Sequence, residues 1–140
     1  MTSNVDIENF EGLTLGVHPT GFILKLTHLD ITVVAGSLSV VKTTDNEPFF
    51  SGTYISKRAS DVIAIDLKKP RTTFNSGMNT ATSGELKISF FDENNDLIKQ
   101  DVVGVGADHS YSYSAPSGKK IKQIIMSNDY VALDNIELSD

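Results

Sequence analysis

Leu86-Lys87-Ile88-Ser89-Phe90-Phe91-Asp92-Glu93-Asn94-Asn95-Asp96-Leu97-Ile98 is the stretch that decides the fold. Leu86, Ile88 and Phe90 alternate with Lys87, Ser89 and Phe91, the period of a strand with one face in a core. The polar run Asp92 to Asp96 then predicts a hairpin turn into a second strand over 97–105. The same pattern extends in both directions. Upstream, Ile63, Ile65 and Leu67 alternate with Ala64, Asp66 and Lys68 until Pro70, and Leu29, Ile31 and Val33 follow Phe22, Leu24 and Leu26. Gly36 breaks that run before Leu38 and Val40, and the turn Thr44-Asp45-Asn46-Glu47-Pro48 precedes a weaker strand over 49–55. Downstream, Tyr111 and Tyr113 alternate with serines, Ser117-Gly118 turns the chain, and Ile121 to Met126 leads into Val131 to Leu138. No segment holds a helical period for three turns. About eight to ten short strands separated by Gly, Pro, Asn, Asp and Ser predict an all-β sandwich or barrel.

The 140 residues make one domain, large enough for its own core without staples. With no cysteine there are no disulfides, thiolate nucleophiles or thiolate metal sites. A net charge of −6 argues against nucleic acid or an anionic membrane as partner. No apolar run approaches the roughly 20 residues of a membrane-spanning helix. The opening Met1-Thr2-Ser3-Asn4-Val5-Asp6 has neither a basic nor an apolar signal region, so the expectation is a soluble protein of the cytoplasm or of a non-classical export route.

In Val131-Ala132-Leu133-Asp134-Asn135-Ile136-Glu137-Leu138, simple alternation puts Asp134 on the same side as Ala132, Ile136 and Leu138. A carboxylate on a core face must be hydrogen-bonded, paired or bound to a cation. Asp134 therefore either accepts backbone N–H bonds or shares a cation with an acid of the first strand, Asp6 or Glu8. Ca²⁺, which takes six to eight oxygens, suits such a carboxylate pair.

Two stretches without clear periodicity, 71–84 and 103–110, are expected to be long loops and hence ligand surfaces. They carry Asn75 and Asn79 in one and Asp108 and His109 in the other, groups that hydrogen-bond hydroxyls. Tyr111 and Tyr113, on one face of the following strand, offer an aromatic stacking surface or pack on a neighbouring loop. Asp92, Asn94 and Asp96 have the spacing that opens an EF-hand. Leu97 stands where its glycine belongs and Val103 where its bidentate glutamate belongs, so the segment reads as a hairpin tip. His18, His28 and His109 sit in no recognised catalytic motif, and no nucleophile elbow or phosphate-cradling loop is present, so no catalysis is expected.

Three of these stretches carry a family resemblance. Val5-Asp6-Ile7-Glu8-Asn9-Phe10, the hairpin Gly84 to Ile98, and Ile121 to Met126 followed by Leu133-Asp134-Asn135-Ile136 together resemble the galactose-binding-like jelly-roll β-sandwiches. These include carbohydrate-binding modules of bacterial surface and secreted proteins. The resemblance implies a two-sheet antiparallel jelly-roll sandwich with the first and last strands adjacent. It also implies a structural Ca²⁺ between Glu8 and Asp134, and binding of glycans on a sheet or on loops at one end. The chain departs from the usual glycan-binding pattern in having no Trp. The expectation is a non-catalytic module for carbohydrate or a cell-surface glycoconjugate. The alternative is a structural or assembly protein that contacts other proteins and takes no small ligand.

Overall fold

In the computed structural model the described residues are 5–42, 52–80 and 84–140, the side chains of 107 and 108 aside. The expected turn over 44–48 lies outside them. Thirteen strands are described: β1 Val5–Glu8, β2 Gly16–Pro19, β3 Ile23–Lys25, β4 Leu29–Ala35, β5 Ser37–Lys42, β6 Thr53–Lys57, β7 Val62–Arg71, β8 Thr73–Thr80, β9 Leu86–Phe91, β10 Leu97–Val103, β11 Gly106–Ser114, β12 Ile121–Ser127 and β13 Val131–Ser139. They exceed the eight to ten expected because short edge strands such as β2 and β3 carry too few residues to show a period. No helix among the described residues is long and apolar enough to cross a membrane.

The strands form two antiparallel sheets. One runs β10-β9-β12-β7-β4-β3; the other runs β11-β8-β13-β6-β5-β2, with β1 also paired to β13. The register of the six-stranded sheet aligns Leu24, Ile31, Ile65, Ile124 and Phe90 in one cross-strand row. Every member of that row is buried, and it forms one wall of the core. Leu38, Val40, Ile55, Phe74, Met78, Val131, Leu133, Ile136 and Leu138 supply the other wall. Phe74 meets Phe90 edge-on across the sandwich at 6.2 Å between centroids, the arrangement aromatic quadrupoles favour.

β8 and β11 correct the expectation of loops at 71–84 and 103–110. β8 lies between β13 and β11 and is hydrogen-bonded along both edges. Two large side chains, Phe74 and Met78, reach the core, and the small, fully or nearly buried Ser76 fills the position between them. Backbone pairing on both sides compensates for the weak side-chain pattern, as propensity in strands is largely context.

β13 departs from simple alternation. Asp134 pairs with Gly77 and Glu137 with Asn75, so Asn135 and Ile136 both face Ser76. Asn135 takes a left-handed φ of 50°, the position a G1 bulge usually gives to glycine. The extra residue explains why Val131, Leu133, Ile136 and Leu138 all lie in the core. Asp134 therefore shares its side of the sheet with Ala132 and Glu137, opposite to the side expected for it. It is nonetheless wholly buried.

The termini are adjacent, with Val5 opposite Ser139 and Glu8 opposite Ile136. Arg71, 2% exposed, holds this corner. One guanidinium nitrogen donates to the Leu138 carbonyl at 3.1 Å and another to the Asp6 carboxylate. That hydrogen bond holds the Asp6 carboxyl below the ordinary aspartate range.

Candidate functional site

The register sorts the expected ligand residues onto two sides of the seven-stranded sheet. Phe74, Ser76 and Met78 point inward, so Asn75, Gly77 and Asn79 share the outer side of β8. Ser110 and Ser112 lie opposite Gly77 and Asn75 and join them there. The Ser110 hydroxyl donates to Asn75 Oδ1 at 2.9 Å, leaving the Asn75 amide NH₂ as a donor held in a fixed direction. Ala132 sits beside Asn79 and Ser56 beside Ala132, which extends the face with small side chains. The result is an amide- and hydroxyl-bearing sheet face on which Ser110 and Ser112 are exposed and Asn75 and Asn79 half-buried, while Gly77 and Ala132 between them are buried.

Tyr111, Tyr113 and His109 are opposite Ser76, Phe74 and Met78, and so belong to the inner side at the edge of the sandwich. Tyr113 stacks on Phe90 at 4.2 Å between centroids. Tyr111 tilts against Phe74, and its hydroxyl donates to Asp101 Oδ2 on β10 at 2.8 Å, tying the edge of one sheet to the edge of the other. Burial first, then this hydrogen bond, pushes the Tyr111 phenol far above its ordinary range; burial raises Tyr113 as well. The stacking surface expected of this pair is turned into the core edge, because odd-numbered positions of β11 face inward. The Asp108 side chain lies outside the described residues.

Glu8 and Asp134 lie near the point where β1 gives way to β6 along one edge of β13. Glu8, 8% exposed, accepts the His28 backbone N–H through Oε2 at 3.2 Å. Asp134 Oδ1 accepts the Asn135 N–H at 2.8 Å, and Glu11 reaches the same corner by accepting the Thr53 N–H at 2.8 Å. Each carboxylate thus already has a backbone amide. Among the described residues no group of three or more His, Cys, Asp or Glu side chains converges as a metal site.

Clefts open among the connections of the described residues. One, of about 440 Å³, lies between the β9–β10 turn and the β11–β12 loop and is lined by residues including Asp92, Asn94, Pro116 and Lys119. Asp92 Oδ1 accepts the N–H groups of Asn94 and Asp96, so this carboxylate shapes the hairpin tip, as its sequence suggests. Another, of about 380 Å³, lies between the segment 8–13 and the β3–β4 turn.

A second buried polar group lies at the far end of the sandwich, where no motif points to it. Lys57, 2% exposed, donates through Nζ to the carbonyls of Arg58, at 3.1 Å, and Asp129. Burial lowers its pKa to about 8 against the pull of Asp61 and Asp129. Burial acts to raise the Asp61 carboxyl, but hydrogen bonds from the Arg58 side chain and backbone outweigh it and hold the group low. Asp129 Oδ2 accepts from the N–H groups of Gly84 and Glu85, closing the loop before β9. These groups order connections: the Lys57 ammonium and the Asp129 carboxylate are engaged with backbone, and the Asp61 carboxylate also with the side chains of Arg58 and Ser37.

No protein-family model and no curated protein matches the chain. Solved structures do match over nearly its full length. The K2 cleaved adhesin domain of Lys-gingipain aligns with a TM-score of 0.63 at 10% identity, covering 98% of this chain and 100% of that one. A family 6 carbohydrate-binding module aligns at 0.52 with 15% identity, covering 96% and 92%. A family 29 carbohydrate-binding module aligns at 0.51 with 10% identity, covering 99% and 93%. The chain has the two-sheet β-sandwich fold of these adhesin and carbohydrate-binding domains.

Proposed function

We propose that this chain is a non-catalytic carbohydrate-binding domain. The observation that carries the reading is the outer face of β8 and β11, where the half-buried Asn75 and Asn79 stand with the exposed Ser110 and Ser112. Amides and hydroxyls supply both donors and acceptors, which is what a sugar's hydroxyls require. Fold likeness to carbohydrate-binding modules over more than nine-tenths of the chain supports it. A shallow polar face without Trp gains little apolar contact, so affinity for each saccharide is weak, in the high-micromolar to millimolar range. A glycan array followed by isothermal titration tests this. Binding that falls at least tenfold in an Asn75→Ala/Asn79→Ala double variant supports the assignment of this face. A wild-type protein that retains no glycan at millimolar concentration overturns the reading.

A structural Ca²⁺ at Glu8 and Asp134 is a separate proposal, supported by two buried carboxylates near one strand junction, each of which also accepts a backbone N–H through one oxygen. Thermal unfolding in millimolar CaCl₂ and then EGTA decides it, since a ligand of the native state alone raises the midpoint. A rise that disappears in Asp134→Asn supports the cation. An unchanged midpoint retires it and leaves carbohydrate binding untouched.

A further inference from the structure

Among the described residues the main path of each sheet ends on strands bonded along one edge only, β3 and β10 in one sheet and β2 and β11 in the other. Such an edge offers unpaired backbone N–H and C=O groups to any chain that can lie beside it. Three of these strands are poor hosts. β3 has three residues, and β2 has four and closes on Pro19. β11 turns serines outward over 110–114 and commits Tyr111 and Tyr113 to the core edge. β10 differs. It runs for seven residues, Leu97-Ile98-Lys99-Gln100-Asp101-Val102-Val103, without Pro or Gly, and leaves Leu97 56% and Val102 57% exposed.

The side taken by each residue follows from the pairing with β9. Lys99, Asp101 and Val103 lie opposite Phe90, Ile88 and Leu86, which are in the core, so they face inward at the open edge of the sandwich. Leu97, Gln100 and Val102 lie opposite Phe91, Ser89 and Lys87 and face outward. Ile98 is the extra residue of a bulge between Leu97 and Lys99, and it packs on the core. Gln100 Nε2 donates to Ser89 Oγ at 3.2 Å and the Tyr111 hydroxyl to Asp101 Oδ2, so side chains on both faces are held in place.

The strand complements itself. A second copy laid antiparallel about a two-fold axis at Gln100 sets Lys99 beside Asp101 of the second copy, and Asp101 beside its Lys99. Both charges face inward, and opposite signs directly across a strand pair are favourable. The Asp101 carboxylate has acceptor capacity beyond its bond to Tyr111. The bulge brings the outer face into phase. Ile98 and Lys99 together oppose one residue, so the next outward pair is Leu97 with Val102 of the second copy. Without the extra residue, Val102 would meet Ile98 and the two would point to opposite sides of the joint sheet. The two exposed apolar side chains thus cover each other twice across the axis. An inward lysine ordinarily keeps strangers off an edge. A strand with aspartate at the matching place is admitted, and β10 is such a strand.

We infer that β10 is a homodimerisation edge, on which two copies of this chain join their six-stranded sheets antiparallel with Gln100 at the axis. The inference is independent of the carbohydrate reading. Two strands of this length bury less than the roughly 1,200 Å² of a standard interface, so the dimer is weak and forms at high protein concentration. Sedimentation velocity on the full chain, from about 10 μM to about 1 mM, is expected to show a monomer–dimer equilibrium with a Kd of order 100 μM. Lys99→Glu places like charges opposite each other on both sides of the axis, and Val102→Asp places a carboxylate against Leu97. Each is expected to raise the Kd at least tenfold with an unchanged circular dichroism spectrum, since both side chains are exposed. Asp101→Lys also weakens self-association, and an equimolar mixture of Lys99→Glu with Asp101→Lys restores the dimer, because every charge then meets its opposite. If Asp101→Lys fails to fold for want of its bond to Tyr111, the Lys99→Glu and Val102→Asp results decide. A wild type that stays monomeric to about 1 mM overturns the inference and leaves this edge to a foreign strand. A dimer that survives either Lys99→Glu or Val102→Asp unweakened overturns it as well, as does a mixture of the two folded charge variants that remains monomeric.

Discussion

The two sheets of the sandwich are held by different physics. In the six-stranded sheet the buried positions of β4, β7, β9 and β12 are apolar until Arg71 closes β7. The seven-stranded sheet, β1 included, buries Glu8, Thr53, Lys57, Ser76, Thr80 and Asp134 among its apolar residues, and the last of its central strands carries a bulge. The first is a wall whose stability comes from area removed from water, insensitive to pH and tolerant in detail. The second depends on individual hydrogen bonds, each modest when made and costly when broken. A polar interior of that kind fixes register, and it also makes one sheet the part of the molecule that pH and single substitutions reach.

The contrast can be broken most severely in the wall. Phe90→Ala removes a fully buried ring that touches Phe74 and Tyr113, and is expected to cost about 3–5 kcal/mol in urea unfolding. A loss under about 1 kcal/mol would mean that the six-stranded wall is not the main source of stability. The polar sheet is sharpened next by pH. The Lys57 pKa of about 8 lies below the ordinary lysine value of 10.5, so between those values the unfolded chain binds a proton the folded chain lacks. Stability therefore rises with pH above 8, by at most about 1.4 kcal/mol per unit. Tyr111 and Tyr113 act in the opposite sense, because their folded-state pKa values are raised. Above about pH 10 the unfolded phenols ionise first and stability falls. A Tm profile with an alkaline maximum near pH 10, whose rising limb is missing in Lys57→Met, is the expected result. The smallest effect concerns the bulge. Asn135→Gly relieves a left-handed backbone at φ 50° and is expected to leave stability within about 1 kcal/mol of wild type, on the stabilising side. Strong destabilisation would show that the Asn135 side chain, not its backbone conformation, holds the bulge.

The same division governs what the sequence could show. β9 was legible because Leu86, Ile88 and Phe90 each occupy a core position, so period and burial coincide. β8 was not, since Ser76 and Gly77 interrupt the apolar signal and its strand identity comes from neighbours on both edges. That Asp134 is buried could be read from its apolar company; its side of the sheet could not, because one left-handed residue after it reverses the alternation. Tyr111 and Tyr113 were correctly placed on one face, but which face depended on the partner strand. The outward position of Phe91 left a trace in Phe90-Phe91: two consecutive aromatics on a strand cannot both enter one core. One of them had to be accounted for outside.

The pairing of β1 with the end of β13 has a mechanical consequence. The two strands are antiparallel with Val5 opposite Ser139, so the outer ends of β1 and β13 lie at the same corner. Tension applied between them peels β1 from β13 one rung at a time instead of shearing all rungs together. The first rungs to open are those nearest the ends, and the Arg71 clip to Asp6 and to the Leu138 carbonyl stands across the advancing tear after a single residue. Under load, this domain yields first at this corner, with one buried guanidinium setting the threshold and the rest of both sheets still intact.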